Sequence, residues 1–222
     1  MFDGLDASGF KGAVPFYEKE FEEVLSKVVK CYQLMLDSQA ALINDENKIR
    51  DVLLLNYLKS NEVRTKIGLI PWLFEREVPE DQSIGRTDIK IMSSNTFLRQ
   101  EAYYILECKR LNNANTTGKT GLNAEYIKNG IYRFTSNYYT SYHRVNGMIG
   151  FIVEKLDIDT NIGKINHLLS SSFKDASTIE PITKDSFIKD FDHHYHSIHS
   201  CNENGKLKIY HLMFDFSKNM DR

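Results

Sequence analysis

The chain has 222 residues, of which 41% are hydrophobic and 26% are charged, and its formal net charge is −2. This composition excludes a disordered, collagen-like or disulfide-scaffold protein and predicts a single globular domain over residues 1–222. The longest apolar runs, such as 149–153, are far shorter than the roughly 20 residues that cross a bilayer, so we expect no membrane partner and a cytoplasmic location. The near-neutral charge disfavours bulk electrostatic coating of nucleic acid but allows a local basic groove beside acidic metal ligands.

Two amphipathic helices are predicted in the N-terminal part of the chain. Apolar residues recur at three- and four-residue steps over residues 15–37, which predicts a helical extension to the domain. A second helix is predicted over 44–59, with Asn44 as its N-cap and with Asp45 and Glu46 in the first turn, where the helix dipole favours acidic side chains. Glu46 lies on the edge of the apolar stripe of this helix.

The period of the pattern then changes to that of β-strands. Short segments rich in β-branched and aromatic residues predict three consecutive strands, arranged as a meander, over 72–78, 86–92 and 103–110. The remaining predicted elements are a helix over 122–138, a buried strand over 147–153, a helix over 161–169 and a last strand over 207–216. This order predicts an α/β fold in which helices pack on a mixed sheet.

Charged side chains of neighbouring strands are predicted to meet. Strand alternation places Glu107 and Lys109 on one face of the third strand, and Asp88 lies on the face of the second strand opposite Ile89 and Ile91. If the two strands pair as a hairpin, Asp88 can lie across from Glu107. Two such carboxylates need a cation, and Mg2+, or Mn2+ as its substitute, satisfies both with oxygen ligands. Because a lysine beside the metal can help to deprotonate a bound water, the pattern predicts metal-assisted phosphodiester hydrolysis.

These residues resemble the PD-(D/E)xK nuclease superfamily, which has the restriction-endonuclease-like fold. The similar segments are Gly85-Arg86-Thr87-Asp88 and, after 18 intervening residues, Glu107-Cys108-Lys109. The proline that often precedes the aspartate is absent, and Arg86-Thr87 takes its place. The resemblance covers residues 44–155 and implies an αβββαβ core with a mixed central sheet flanked by helices. The N-terminal helix would extend this core on one side, and a C-terminal helix and strand over 156–222 would extend it on the other.

The resemblance also implies roles for particular residues. By position, Asp88, Glu107 and the backbone carbonyl of Cys108 would bind the metal, and Lys109 would be the catalytic lysine. Glu46 corresponds to an acidic residue that, in many members, reaches the metal from the helix before the sheet. The implied substrate is DNA, in restriction or phage defence. Separately from the resemblance, the near-neutral charge of a single small domain predicts that a homodimer or partner subunit helps to grip the DNA. The residues expected to contact backbone phosphates are Lys119, Lys128 and Arg133. For Arg133, an ion pair with an acidic residue is an equally open alternative.

Other interpretations of the same residues stay open. Asp88, Glu107 and Lys109 can form an exposed cross-strand salt-bridge cluster, and the helix dipole alone can explain Glu46. A domain of this fold can also be catalytically idle and bind nucleic acid or a partner protein. The histidines between residues 193 and 211, with Cys201 nearby, offer zinc ligands. Because their spacing matches no established zinc site, structural or substrate-facing histidines are favoured.

Overall fold

The computed structural model describes residues 13–79, 86–136, 138–139, 142–201 and 205–221 of the chain. The helices and strands within them are, in chain order, α1 (Ala13–Asp37), α2 (Glu46–Asp51), α3 (Asn61–Ile67), β1 (Leu73–Pro79), β2 (Arg86–Met92), α4 (Ser94–Leu98), β3 (Tyr103–Leu111), α5 (Leu122–Tyr126), α6 (Tyr132–Thr135), β4 (Val145–Ile152), α7 (Ile158–Ser171), β5 (Thr178–Lys184), β6 (His194–Cys201) and β7 (Gly205–Asp215). π-helical turns continue α2 over Val52–Leu58 and join α5 to α6 over Ile127–Ile131.

Within the described residues, seven strands form one mixed sheet in the spatial order β1-β2-β3-β4-β7-β6-β5. The first three strands pair as an antiparallel meander, and β4 lies parallel to both β3 and β7. On the far side of β7, strands β6 and β5 pair antiparallel. Every residue of β4 is buried, because helices cover both faces of this central strand. The chain is therefore an α/β protein with a mixed sheet flanked by helices.

Alternation along β3 divides its side chains between two hydrophobic layers. Leu106 and Cys108 pack in the layer formed with α1 and the helical segment that begins at α2. Tyr103 and Ile105 pack in the opposite layer, with the helices that follow β3. Glu107 lies on this second side, as its place in the alternation predicts.

Close packing of α1 onto the sheet depends on a glycine in β4. A Cβ atom at Gly147 would lie 2.6 Å from Cδ2 of Leu106 and 3.2 Å from Cζ of Phe21. Phe21 in turn stacks on Tyr104 with their ring centroids 4.7 Å apart. The absence of a side chain at Gly147 thus allows the helix to approach the strands that carry the candidate site.

The second helix begins one residue later than the sequence predicts. Asp45 is its N-cap, because its carboxylate accepts a hydrogen bond from the backbone N–H of Lys48 at 3.0 Å. The expected N-cap, Asn44, instead accepts two hydrogen bonds from the guanidinium of Arg110, each at 2.8 Å. Glu46 consequently becomes the first helical residue, and its side chain points to β3.

The C-terminal part departs most from the sequence prediction. The expectation of one helix and one strand over 156–222 is wrong, because β5 and β6 add two antiparallel strands to the sheet. β6 lacks the expected apolar alternation because its buried positions include His194, Ser197 and His199. β5 is an edge strand with mostly exposed side chains, so it carries little hydrophobic pattern. The predicted αβββαβ core therefore accounts for only part of the sheet.

Smaller differences concern the helices. The short helices α3 and α4 were not predicted, and the helical segment expected over 122–138 ends as α6 at Thr135.

No helix among the described residues combines the length and the apolarity that crossing a bilayer requires.

Candidate active site

The predicted site residues come together where β2 begins and β3 ends. The ammonium Nζ of Lys109 lies 2.6 Å from Oε1 of Glu107, 2.7 Å from the carbonyl oxygen of Cys108 and 3.1 Å from Oε1 of Glu46. Oδ2 of Asp88 lies slightly farther away, at 3.8 Å. Oxygen atoms from two strands and one helix therefore surround a single cation. We call these four oxygen atoms the oxygen cluster.

Asp88 is attached to the backbone of the neighbouring strand. β2 and β3 pair Ile89 with Leu106, so the next position along the ladder would place Asp88 opposite Glu107. At this point the ladder ends, and Oδ2 of Asp88 accepts a hydrogen bond from the backbone N–H of Cys108 at 2.8 Å. The carboxylate thus takes the place of a backbone acceptor and lies beside the end of β3.

Glu107 is completely buried, and both of its carboxylate oxygens are hydrogen-bonded. Oε1 accepts from Lys109 Nζ at 2.6 Å and from the guanidinium of Arg133 at 2.7 Å. Oε2 accepts from the hydroxyl of Tyr139 at 2.5 Å. Burial and the nearby Asp88 carboxylate raise the pKa of Glu107 to about 7, although Lys109 and Arg133 act in the opposite direction.

Lys109 is a buried but charged ammonium. Burial acts to lower its pKa, but the carboxylates of Glu107, Asp88 and Glu46 outweigh this effect and raise the pKa above its ordinary value. A cation is therefore favoured at the centre of the oxygen cluster. Carboxylate and carbonyl oxygens are also the ligands that Mg2+ prefers, so the chemistry of the donors fits a hard divalent ion. In the described part of the chain, no three side chains of His, Cys, Asp or Glu are arranged to hold a metal ion.

The structure pairs Arg133 with an acidic residue, the alternative to a phosphate contact that the sequence left open. One of its guanidinium nitrogens donates a hydrogen bond to Oε1 of Glu107. Tyr139 was missed: it lies in an aromatic-rich segment typical of packing, and only the fold brings its hydroxyl to Glu107. Because Lys109, Arg133 and Tyr139 all donate to it, Glu107 is held in one orientation.

The two other residues that were expected to contact phosphate lie on the surface. Lys119 and Lys128 are exposed, and Nζ of Lys128 donates to the backbone carbonyl of Lys119 at 2.8 Å. Lys128 also lines a surface cavity of about 360 Å³ together with Tyr132 and Phe173. Among the described residues, neither lysine contacts a member of the oxygen cluster. Gly85, which opens the first motif, lies outside the described residues.

Two of the C-terminal histidines, His199 on β6 and His211 on β7, take part in a buried hydrogen-bonded chain. The Ser197 hydroxyl lies 2.8 Å from Nε2 of both His199 and His211. Nδ1 of His211 lies 2.8 Å from the hydroxyl of Tyr126. Burial lowers the pKa of His199 to about 4 and that of His211 well below its ordinary value, so both rings are neutral at pH 7. These contacts are those of structural histidines on β6 and β7.

The chain was also compared with known proteins. Comparisons with protein-family models, with curated proteins and with solved structures find no match. The function proposed below is therefore inferred from the residues of the candidate site.

Proposed function

We propose that the chain is a divalent-metal-dependent nuclease that hydrolyses phosphodiester bonds of DNA. The observation that carries this proposal is the oxygen cluster, in which carboxylates of Glu46, Asp88 and Glu107 and the carbonyl of Cys108 surround the Lys109 ammonium. The same residues are those that the resemblance to PD-(D/E)xK nucleases implies. A role in restriction or phage defence is part of this proposal.

The arrangement of the strands supports a restriction-endonuclease-like core. A helical segment beginning at α2 precedes the meander β1-β2-β3, and the helical segment from α5 to α6 leads to β4, which pairs parallel with β3. This order corresponds to the αβββαβ arrangement that the resemblance implies. Because many functions can use one fold, the chemistry of the site rather than this order carries the functional argument.

Each residue of the cluster has a role in the proposed reaction. Asp88, Glu107 and the Cys108 carbonyl would hold Mg2+, or Mn2+ in its place, with Glu46 as a further acidic group. When bound, such a metal lowers the pKa of a water molecule and stabilises charge on the phosphate. As a charged ammonium, Lys109 would orient the attacking water and offset negative charge in the transition state.

The DNA would be gripped outside this cluster. The exposed amines of Lys119 and Lys128 can contact backbone phosphates, whereas Arg133 is partly engaged by Glu107. Because the chain has a formal net charge of −2, we expect a second copy or a partner subunit to help hold the duplex.

Cleavage of supercoiled plasmid tests the proposal directly. The wild type is expected to cut with Mg2+ or Mn2+ and not with EDTA, and Asp88→Asn is expected to lower the rate at least 100-fold because it removes a ligand charge while preserving shape. Glu180→Gln is the matched control, since Glu180 is an exposed acid on β5 at the far edge of the sheet. Equal cleavage by wild type and Asp88→Asn would remove Asp88 from the mechanism.

A catalytically idle module that binds nucleic acid or a protein partner is the second candidate. It is favoured by the hydrogen bonds already made by the buried Glu107 carboxylate, which are satisfied without a metal. Titration with Mn2+ distinguishes the two candidates. If the metal site exists, binding of Mn2+ raises the unfolding temperature of the wild type but not that of Asp88→Asn. An idle module would show no such shift and no cleavage.

A further inference from the structure

Arg50 is a fully buried charged residue that belongs to none of the motifs in the sequence. Its side chain is only 2% exposed, and it lies one helical turn after Glu46 on α2. Residues four positions apart share one face of a helix, so the helix presents both side chains towards the same end of the sheet. This i, i+4 spacing is the signal by which the sequence could have indicated Arg50.

The guanidinium of Arg50 binds three carboxylates at once. It donates to Oδ1 of Asp88 at 3.3 Å, to Oδ1 of Asp51 at 2.9 Å and to Oε1 of Glu77 at 3.0 Å. Asp88 is therefore held from two sides, by Arg50 on Oδ1 and by the N–H of Cys108 on Oδ2. Since each carboxylate oxygen accepts two hydrogen bonds, both keep a free lone pair while the plane of the carboxylate is fixed.

Glu77, which binds the same arginine, has an unusual backbone conformation. β1 and β2 pair Arg76 with Ile89 and Val78 with Thr87, which leaves Glu77 and Asp88 facing each other. Glu77 has a φ of 49°, a left-handed conformation that is unusual for a side-chain-bearing residue inside a strand. Two like charges facing each other across a strand pair repel, and the Arg50 guanidinium lies between them.

Stability alone does not explain this buried network of Arg50 and its three carboxylates. Removing a guanidinium from water has a large free-energy cost, which buried ion pairs often fail to recover, and apolar residues of similar volume often stabilise a fold as well or better. What the network supplies is a defined orientation of the Asp88 carboxylate.

We propose that Arg50 is a positioning residue that orients Asp88 for the proposed metal-dependent cleavage and that couples this carboxylate to helix α2 and strand β1. The inference rests on the proposed nuclease function. Arg50 itself touches neither metal nor DNA in this scheme, because its guanidinium is buried beneath the carboxylates.

The test compares single-turnover DNA cleavage at saturating Mn2+ by wild type, Arg50→Met and Arg50→Lys. Loss of a residue that orients a metal ligand typically costs 10- to 100-fold, so Arg50→Met should cut at least about 10-fold more slowly. DNA affinity should stay within about twofold of wild type, since a buried side chain makes no phosphate contact. Arg50→Lys keeps the charge but loses the planar fork, so its rate should lie between the other two.

Arg76→Met is the matched control. Arg76 pairs with the same Asp51, at 2.6 Å, but within the described residues it makes no hydrogen bond or ion pair with Asp88, so this variant should cut at the wild-type rate. Circular dichroism establishes whether each variant is folded. If Arg50→Met does not fold, the cleavage rate of Arg50→Lys tests the inference instead. A folded Arg50→Met, or in its place a folded Arg50→Lys, that cuts as fast as wild type would overturn the inference. If wild type itself neither binds Mn2+ nor cuts DNA, the proposed function fails instead.

Discussion

Replacing Lys109 by methionine should separate metal binding from catalysis. In the structure, the ammonium makes three hydrogen bonds within 3.1 Å, to Glu107, the Cys108 carbonyl and Glu46. A metal ion that binds these oxygens has to displace the ammonium from at least one of them. Methionine has similar length and no charge, so Lys109→Met removes this competition while filling most of the space. Glu107 keeps its bonds to Arg133 and Tyr139, so we expect the variant to fold.

The size of the effect follows from those contacts. A hydrogen bond to a charged group contributes about 1.5–3 kcal/mol, and each 1.4 kcal/mol is tenfold in affinity. Losing one such bond on metal entry therefore weakens Mn2+ binding by wild type, and Lys109→Met should bind Mn2+ roughly 10- to 100-fold more tightly. Cleavage should nevertheless fall at least about 100-fold, because the group that assists the attacking water is gone.

Calorimetric titration with Mn2+ and plasmid cleavage, made on the same preparations, measure both quantities. Lys59→Met is the control, since it also removes an ion-paired lysine, 2.8 Å from Glu75, but on the exposed part of the surface. Weaker or unchanged Mn2+ binding by Lys109→Met would refute the idea that the ammonium competes with the metal. Undiminished cleavage would refute its catalytic role.

Two further predictions concern pH and packing. Glu107, with its pKa raised to about 7, must lose a proton to bind a metal. The affinity for Mn2+ should therefore rise about tenfold for each pH unit as the pH increases towards 7, and should level off above pH 7. A calorimetric affinity that does not change with pH below neutrality would contradict this prediction. Gly147→Ala should lower the free energy of unfolding by about 1–3 kcal/mol, since its Cβ would lie 2.6 Å from Leu106. In urea unfolding, Gly163→Ala, where no atom lies within 4 Å, should instead gain up to about 1 kcal/mol.

The strand pattern around the candidate site could be predicted because it depends on local sequence. Period-two alternation predicted that Glu107 lies on one face of β3 and that Leu106 and Cys108 lie on the other face. The two hydrophobic layers on either side of β3 follow this division. The apolar segment of β4 likewise predicted a strand covered on both faces. Strand β6 could not be found in this way, because two of its buried positions are the polar residues His194 and His199. Their rings are hydrogen-bonded to the backbone carbonyls of Phe191 and Ala176, which the sequence pattern does not reveal.

The sequence by itself determined the α/β class, the meander and the residue types of the oxygen cluster, because alternation and helix periodicity are properties of neighbouring residues. Only the tertiary structure decided which groups surround that cluster. Arg50, Arg133 and Tyr139 reach Asp88 or Glu107 across 38, 26 and 32 positions of the chain. Such contacts depend on how helices cross the sheet, which no local pattern encodes. The pKa of Glu107 follows from the same packing, since burial and the surrounding charges exist only in the folded chain.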